Sequence, residues 1–451
     1  MATTFDPATT AQQLATAYTQ NAQSLLTAKN TVAQSTSTAL TKLRSALTSF
    51  DTAVASLSGK KSVIKYSATF DATTHGTATA SATAQPGKYS FFVEQLATTH
   101  QVAYANLTDS TETGTLGLSL ADGTSFNVSF AAADADGNGQ LSPAELARAI
   151  NNDADNKGSV TASVITSGGQ SQLVLSSGKS GAEGEVTLNT TGLNDAALKA
   201  KLDSGNPLVA AQDAIVWLGA QTTGIKLQQA TNTFTPVDGV SINFTKAMAP
   251  GDAPVTLTVA NDASGTAGNV KSFVDAYNAL NNTLTDMTKS AKPDAGTAAG
   301  AFASDASIRS LRSRLASILR EEVGGDSLRT YGITIDRSGV LQLDQTKLEK
   351  ALAANPTGLD KVFGSASTTA PSGLFGKFDA YVEQWTNSTN GQIKKRQDSL
   401  ALSQKSLTSR QTRLDAQYDS LYARYLAQFT KLQTLQESMG QTTNLFTSLS
   451  S

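Results

Sequence analysis

An α+β fold is predicted, with long terminal coiled-coil-like helices and a helical bundle that carry an inserted β-rich, two-part head. Three observations predict it. Apolar residues step by three and four through the first part of the chain. From about residue 64 to 262 they alternate with polar ones. They then return to helical spacing and finish in strict heptads. The length of 451 residues has room for about two to four domains.

The opening helix starts at Asp6, an N-cap, with Pro7 at the first helical position. Leu14, Tyr18 and Leu25 begin its apolar stripe. The spacing then sharpens through Leu40, Leu43, Leu47, Phe50, Val54 and Leu57, and Ser58-Gly59 stops it. In the middle, Lys88–Val93, Ser125–Phe130, Ser171–Leu175 and Val255–Val259 read as strands, bounded by turn residues. One short helix, Ala144 to Asn151, interrupts them, and the region divides into two subdomains.

Helix returns with Val270, Phe273, Tyr277, Leu280, Leu284 and Met287, and again with Ile308, Leu311, Leu315, Ile318 and Leu319. Ile333 and Ile335, the turn Asp336-Arg337-Ser338-Gly339, and Leu341 and Leu343 form a hairpin. A helix with Leu348 and Leu352 follows and ends at Asn355-Pro356. In the last stretch Ile393, Leu400, Leu407, Leu414 and Leu421 recur every seven residues, as do Tyr418, Tyr425, Leu432 and Met439. The companion column is polar: Gln397, Gln404 and Gln411. Such a seam suits a specific partner helix, either the N-terminal one or that of a neighbouring subunit. An ordinary surface helix of a bundle is the other reading. The predicted partner seam comprises Leu40, Leu43, Leu47, Phe50, Val54, Leu57, Leu400, Leu407, Leu414, Leu421, Tyr425 and Leu432.

Composition excludes several functions. Lys+Arg 35 against Asp+Glu 37 advertises no basic face, so nucleic acid is not an expected partner. With no cysteine and two histidines, thiol chemistry, zinc fingers and most histidine catalysis are excluded. His75 and His100 lack acidic or serine partners at motif spacing and read as surface residues. Glu321-Glu322 read as a solvated helix face, and Trp217 and Trp385 as packing anchors. No catalytic constellation emerges, and an enzyme is not expected. No apolar run is long enough to span a membrane, and the N-terminus lacks the pattern of a secretory signal.

One motif carries metal chemistry. Asp134-Ala135-Asp136-Gly137-Asn138-Gly139-Gln140-Leu141-Ser142-Pro143-Ala144-Glu145 fits the calcium loop of an EF-hand at every position. Asp134, Asp136 and Asn138 supply side-chain oxygens, Gln140 its carbonyl, Ser142 a direct or water-mediated contact, and Glu145 a bidentate carboxylate. Gly139 makes the sharp turn. The incoming segment, Asn127 to Ala133, reads as strand, so a full EF-hand is not expected. The plain alternative is a polar turn in which Ser142-Pro143 caps the next helix.

Four stretches resemble the flagellar filament-cap family, also called hook-associated protein 2. Gly87-Lys88-Tyr89-Ser90-Phe91-Phe92-Val93-Glu94-Gln95-Leu96-Ala97 looks like its first head strand, and Leu146-Ala147-Arg148-Ala149-Ile150-Asn151 like its short head helix. Phe273-Val274-Asp275-Ala276-Tyr277-Asn278 is similar to the helix after the head. Tyr331-Gly332-Ile333-Thr334-Ile335-Asp336 and Gly339-Val340-Leu341-Gln342-Leu343-Asp344 resemble its hairpin. The order covers essentially the whole chain; the calcium-like loop is the departure.

The resemblance implies a structural cap at the distal end of the bacterial flagellum, retaining exported flagellin and promoting its insertion. It implies a ring of identical subunits, flagellin and hook–filament junction proteins as partners, and an export chaperone on the C-terminal helix. It also implies an extracellular position reached through the flagellar export channel without a cleaved signal. The implied division is an N-terminal helical leg at 1–45, a helical domain at 46–66 and 265–400 with the 333–343 hairpin, a head at 67–264, and a C-terminal leg at 401–451. Two other readings stand beside it. One is another axial protein, flagellin or a junction protein; the other is a calcium-dependent adhesin that holds host glycan or mucin through the head.

Overall fold

The computed structural model describes residues 6–60, 62–291, 296, 298–367 and 369–449. The ends of the predicted legs, 1–5 and 450–451, lie outside the described residues. The chain forms two compact units, one from residues up to Ile64 and from Thr266 onward, the other from Lys65–Gly265.

Helix α1 (Pro7–Gly59) is long because its interior holds neither Gly nor Pro. Asp6 accepts from the N–H groups of Ala8 and Thr9, both at 3.2 Å, and so satisfies two orphan donors of the first turn. Its buried face differs from the predicted stripe over the first half. Leu14, Tyr18 and Leu25 are exposed, whereas Ala11, Ala15, Thr19, Leu26 and Ala33 are covered. The large residues of the facing helix need small ones opposite, so alanine and threonine mark the seam.

The second unit holds two hydrophobic cores. Strands β1 (Lys65–Phe70), β2 (Gly76–Ala80), β3 (Gly87–Gln95) and β4 (Thr99–Leu107) lead in. Next come β5 (Thr115–Leu120), β6 (Ser125–Ser129), α2 (Phe130–Ala133), α3 (Pro143–Asn152), β7 (Val160–Ser167), β8 (Gln170–Ser180), β9 (Val186–Asn189), α4 (Ala196–Asp203) and β10 (Asn206–Val209). The chain then passes through β11 (Ala214–Leu218), β12 (Ile225–Gln229), β13 (Thr233–Val237), β14 (Val240–Phe244) and β15 (Val255–Asp262).

The first core lies between the antiparallel sheet β1-β15-β3-β11-β12 and the sheet β13-β14-β2. A phenylalanine cluster fills it, with Phe91 and Phe244 ring centres 5.8 Å apart and Phe234 and Phe244 at 5.7 Å. The second core belongs to the intervening residues. Sheets β10-β4-β8-β7 and β6-β5-β9, with α3 and α4, enclose Leu116, Phe130, Ile150, Leu173 and Leu202.

Three sequence expectations are corrected in this unit. The segment Asn127 to Ala133 is not all strand: β6 stops at Ser129 and one helical turn, α2, follows. The side chain of Phe130 is fully buried and its N–H donates to the Gly114 carbonyl at 2.9 Å, which turns the chain inward. A second short helix, α4, accompanies α3, capped by Asp195 on the N–H groups of Ala197 and Leu198. His100 is a buried residue. Its Nδ1 accepts from the Val186 N–H at 2.9 Å, and burial lowers its pKa.

The helical unit continues with α5 (Ala263–Thr288), α6 (Ala306–Ile318), the hairpin β16 (Ile333–Ile335) and β17 (Leu341–Leu343), α7 (Gln345–Ala354), α8 (Gly358–Phe363), α9 (Gly373–Thr386) and α10 (Gln392–Leu449). Phe50 on α1 is its hub, with ring centres of Phe378, Phe273 and Tyr277 at 5.2, 6.2 and 6.2 Å. Glu321 and Glu322 lie beyond the end of α6, and Glu321 pairs with Lys377 and Arg314.

Candidate functional site

Two features of the chain are candidates for function: the α1–α10 helix pair and the acidic loop of the second head core.

The helix pair is antiparallel. Leu26 and Ala33 of α1 form one apolar cluster with Leu407 and Leu414 of α10, and Leu400 packs against it. Residues 36–40 share a hollow with 399–403, and 22–29 share one with 410–417, which fixes the direction. One heptad further on, Thr19 and Leu421 are both buried. The seam is therefore leucine on one side and mostly small residues on the other. Beside it, Gln411 of the amide column pairs with Gln23.

The predicted seam residues divide into two groups. Leu40, Leu43, Leu47, Phe50, Val54 and Leu57 are all buried in the helical unit of their own chain. Leu407, Leu414 and Leu421 are buried on α10, Leu400 and Tyr425 are half-buried, and Leu432 is 42% exposed. Beyond it Leu435, Met439 and Phe446 are exposed on the last turns of α10. Sequence reasoning missed Ala11, Ala15, Thr19, Leu26 and Ala33. The signal was a seven-residue series of its own, Thr19, Leu26, Ala33 and Leu40, one position away from the larger side chains.

The acidic loop joins α2 to α3. Asp134 accepts from the Gly137 and Gly139 N–H groups, both at 2.9 Å. Asp136 accepts from the Asn138 N–H at 3.1 Å, and Asn138 from the Gln140 N–H at 2.7 Å. Gly137 and Gly139 hold φ of 71° and 79°, which only glycine adopts without strain. Glu145 is buried and anchors the exit: its carboxylate accepts from the Ser142 N–H at 2.9 Å, the Ser142 hydroxyl at 2.8 Å and the Ala135 N–H at 3.1 Å. These bonds, the Ser142 N–H foremost, hold its carboxyl below the usual range. Leu141 exchanges two backbone hydrogen bonds with Ser110, at 2.7 and 3.1 Å, which ties the loop to the core. Carboxylate oxygens of Asp134, Asp136 and Glu145 lie within 4.8 Å of one another. Ser142 is thus both a predicted ligand and the N-cap of α3, so the metal and turn readings use the same geometry.

A β-rich unit inserted between two terminal segments that pair as long helices defines a structural assembly protein. The comparisons specify which. The family models for the flagellar hook-associated protein 2 N-terminus and C-terminus match residues 3–100 and 211–441. The lateral flagellar hook-associated protein 2 of Vibrio parahaemolyticus is 37% identical over 390 residues, covering 85% of this chain and 86% of the relative. The flagellar hook-associated protein 2 of Escherichia coli is 29% identical over 468 residues, covering 98% and 94%. The crystal structure of the flagellar cap protein from Escherichia coli superposes with a TM-score of 0.63 at 25% identity, over 80% of this chain and 99% of that one. The chain belongs to the flagellar hook-associated protein 2 family. Its function is that of a cap on the bacterial flagellar filament.

Proposed function

We propose that copies of this chain form a ring at the flagellum tip, in which the α1–α10 legs grip axial subunits and the heads cover the growing end. Exported flagellin is held beneath the heads and inserted there, and the legs meet hook–filament junction proteins before filament growth begins. The chain leaves the cell through the flagellar export channel with a chaperone on α10. The single observation that carries this reading is the leg seam. It is narrow, built of leucine against alanine and threonine with an amide pair beside it, and it leaves apolar side chains of both helices exposed. Such a surface favours reversible binding over a permanent interface.

The test is complementation of a strain lacking this gene. The full chain restores filaments, whereas a chain truncated before residue 432 leaves flagellin in the medium. Long filaments made with the truncated chain would overturn the leg's role. Native mass spectrometry of the secreted protein reads the ring directly as a closed subunit number.

A calcium ion at Asp134, Asp136, Asn138, Gln140, Ser142 and Glu145 is a second proposal, favoured by the convergence of three carboxylates on one point. A single loop of this kind suits weak binding, about 10⁻⁴–10⁻³ M. The ion would stiffen the turn between α2 and α3. Calorimetry with Ca²⁺ reads heat for the wild type and none for Glu145→Gln; no heat for either removes the proposal.

A further inference from the structure

Beside the buried seam, the α1–α10 pair leaves a hollow of about 260 Å³. Leu25, Leu26 and Leu414 are apolar residues of its lining, and Lys29, Arg410 and Arg413 its charged ones. Leu26 and Leu414 are buried by the seam, but Leu25 is 57% exposed. Tyr18, Leu25 and Val32 stand seven residues apart on α1 and are all exposed, so an apolar stripe runs past the hollow for two heptads.

The charged side chains that line it have one sign, and Asp415, the next residue after Leu414, accepts from Gln411 at 2.8 Å. Helix α1 carries Lys29, Lys42 and Arg44 between residues 7 and 50 and no carboxylate. Helix α10 carries Lys405, Arg410 and Arg413 between 399 and 414, again with no carboxylate. The imbalance is wider than the leg. The head holds twice as many carboxylates as Lys and Arg, while the helical unit has an excess of cations.

We propose that this groove is the docking face of the leg, and that its occupant is an amphipathic helix whose apolar stripe is flanked by Asp or Glu. The helix lies along Tyr18, Leu25 and Val32, and its carboxylates meet Lys29, Arg410 and Arg413. The proposal rests on the reading that the legs grip helical axial subunits, and adds the chemistry of the surface they grip. Apolar burial gives the contact its strength, and the exposed cations set its register and its partner. Exposed ion pairs are screened by salt, so such a leg loosens as ionic strength rises.

The test uses the full chain and three synthetic helices long enough to cover the stripe. One has Leu at a and d with Glu at e and g; one has Lys at e and g; one keeps the Glu content with the Leu positions scrambled. By fluorescence anisotropy the Glu helix binds, and the Lys and scrambled helices bind at least about tenfold more weakly. The double variant Arg410→Glu with Arg413→Glu reverses the preference toward the Lys helix, and Leu25→Asp weakens both. These residues are exposed, and circular dichroism confirms that the variants keep their helix content. Equal binding of Glu and Lys helices, equal binding of the scrambled helix, or no binding at all overturns the proposal. If the unmodified chain still restores filaments in cells while the Glu helix does not bind, leg docking stands and only this charge-matched groove falls.

Discussion

Gln23 and Gln411 exchange amide hydrogen bonds across the helix pair. Gln411 Nε2 donates to Gln23 Oε1 at 2.8 Å, and Gln23 Nε2 donates back to Gln411 Oε1 at 3.3 Å. Gln411 of the amide column is thus matched amide to amide, beside the Leu26–Leu414 cluster. A helix that slides by one turn loses both bonds, so the pair marks one register while contributing little strength.

Removing the pair should therefore loosen register more than stability. A double-mutant cycle on Gln23→Ala and Gln411→Ala is expected to show a coupling of about 0.5–1 kcal/mol. Replacing both by Leu should slow hydrogen exchange of residues 20–30 and 405–417. Faster exchange in the Leu pair would show that the amides contribute packing that leucine cannot supply.

The two halves of α1 should respond very differently to truncation. Phe50→Ala empties a site enclosed by Phe273, Tyr277 and Phe378, and is expected to cost about 3–5 kcal/mol. Leu25→Ala removes an exposed side chain and should shift stability by less than about 0.5 kcal/mol. Urea unfolding followed by circular dichroism measures both. Comparable losses would mean that the first half of α1 is packed as firmly as the second.

Asn278 stands in for a strand. Its Nδ2 donates to the Leu341 carbonyl at 2.9 Å and its Oδ1 accepts from the Leu341 N–H at 2.8 Å, pinning the hairpin to α5. Asn278→Ala leaves two part-buried backbone groups without partners and should cost about 1–3 kcal/mol. Asn278→Asp keeps the acceptor and loses the donor. It should fall between wild type and the alanine variant in thermal midpoint at neutral pH; a variant as stable as wild type would sink this assignment.

Carboxylates also face one another where α1 meets α9. Burial raises the Asp51 pKa, with Asp379 and Glu383 adding repulsion, and burial and Glu383 raise that of Asp379. A folded-state pKa above the unfolded one gives stability that is full below the ordinary carboxylate range and is lost as pH rises through the raised value. Asp51→Asn should therefore raise the thermal midpoint at pH 7, and the gain should close as the solution is acidified toward the ordinary Asp pKa of about 3.9. A gain independent of pH would point to packing rather than charge.

Periodicity made much of this fold legible. Leu40 through Leu57 were visible because large apolar residues at helical spacing are buried whenever a helix has a core to cover. The N-terminal half was misread for the converse reason. Ala11, Ala15 and Ala33 give no hydrophobic peak, yet only small residues let α10 approach, so the apolar stripe that Leu14, Tyr18 and Leu25 begin in the sequence is not the covered face. Helix α4 escaped because its eight residues lie among strands, although Asp195 before two alanines is an N-cap signal. The inward turn at Phe130 was hidden by a sequence that still alternates. The acidic loop was readable residue by residue, since its turn chemistry is local. That Leu141 would be tied to Ser110 was not, because that bridge joins distant parts of the chain.

The second head core leaves and re-enters the first through neighbours. β4 and β10 lie side by side, with Ala103 opposite Asn206 and Val102 opposite Pro207, and Thr98 bridges Gln212 just outside them. The family models stop at residue 100 and resume at 211, at this same doorway. A segment whose two ends are clamped together can be traded for another of different size while its neighbours keep their places. The second head core is therefore built as an interchangeable cassette, free to diversify while the core it leaves and re-enters stays the same.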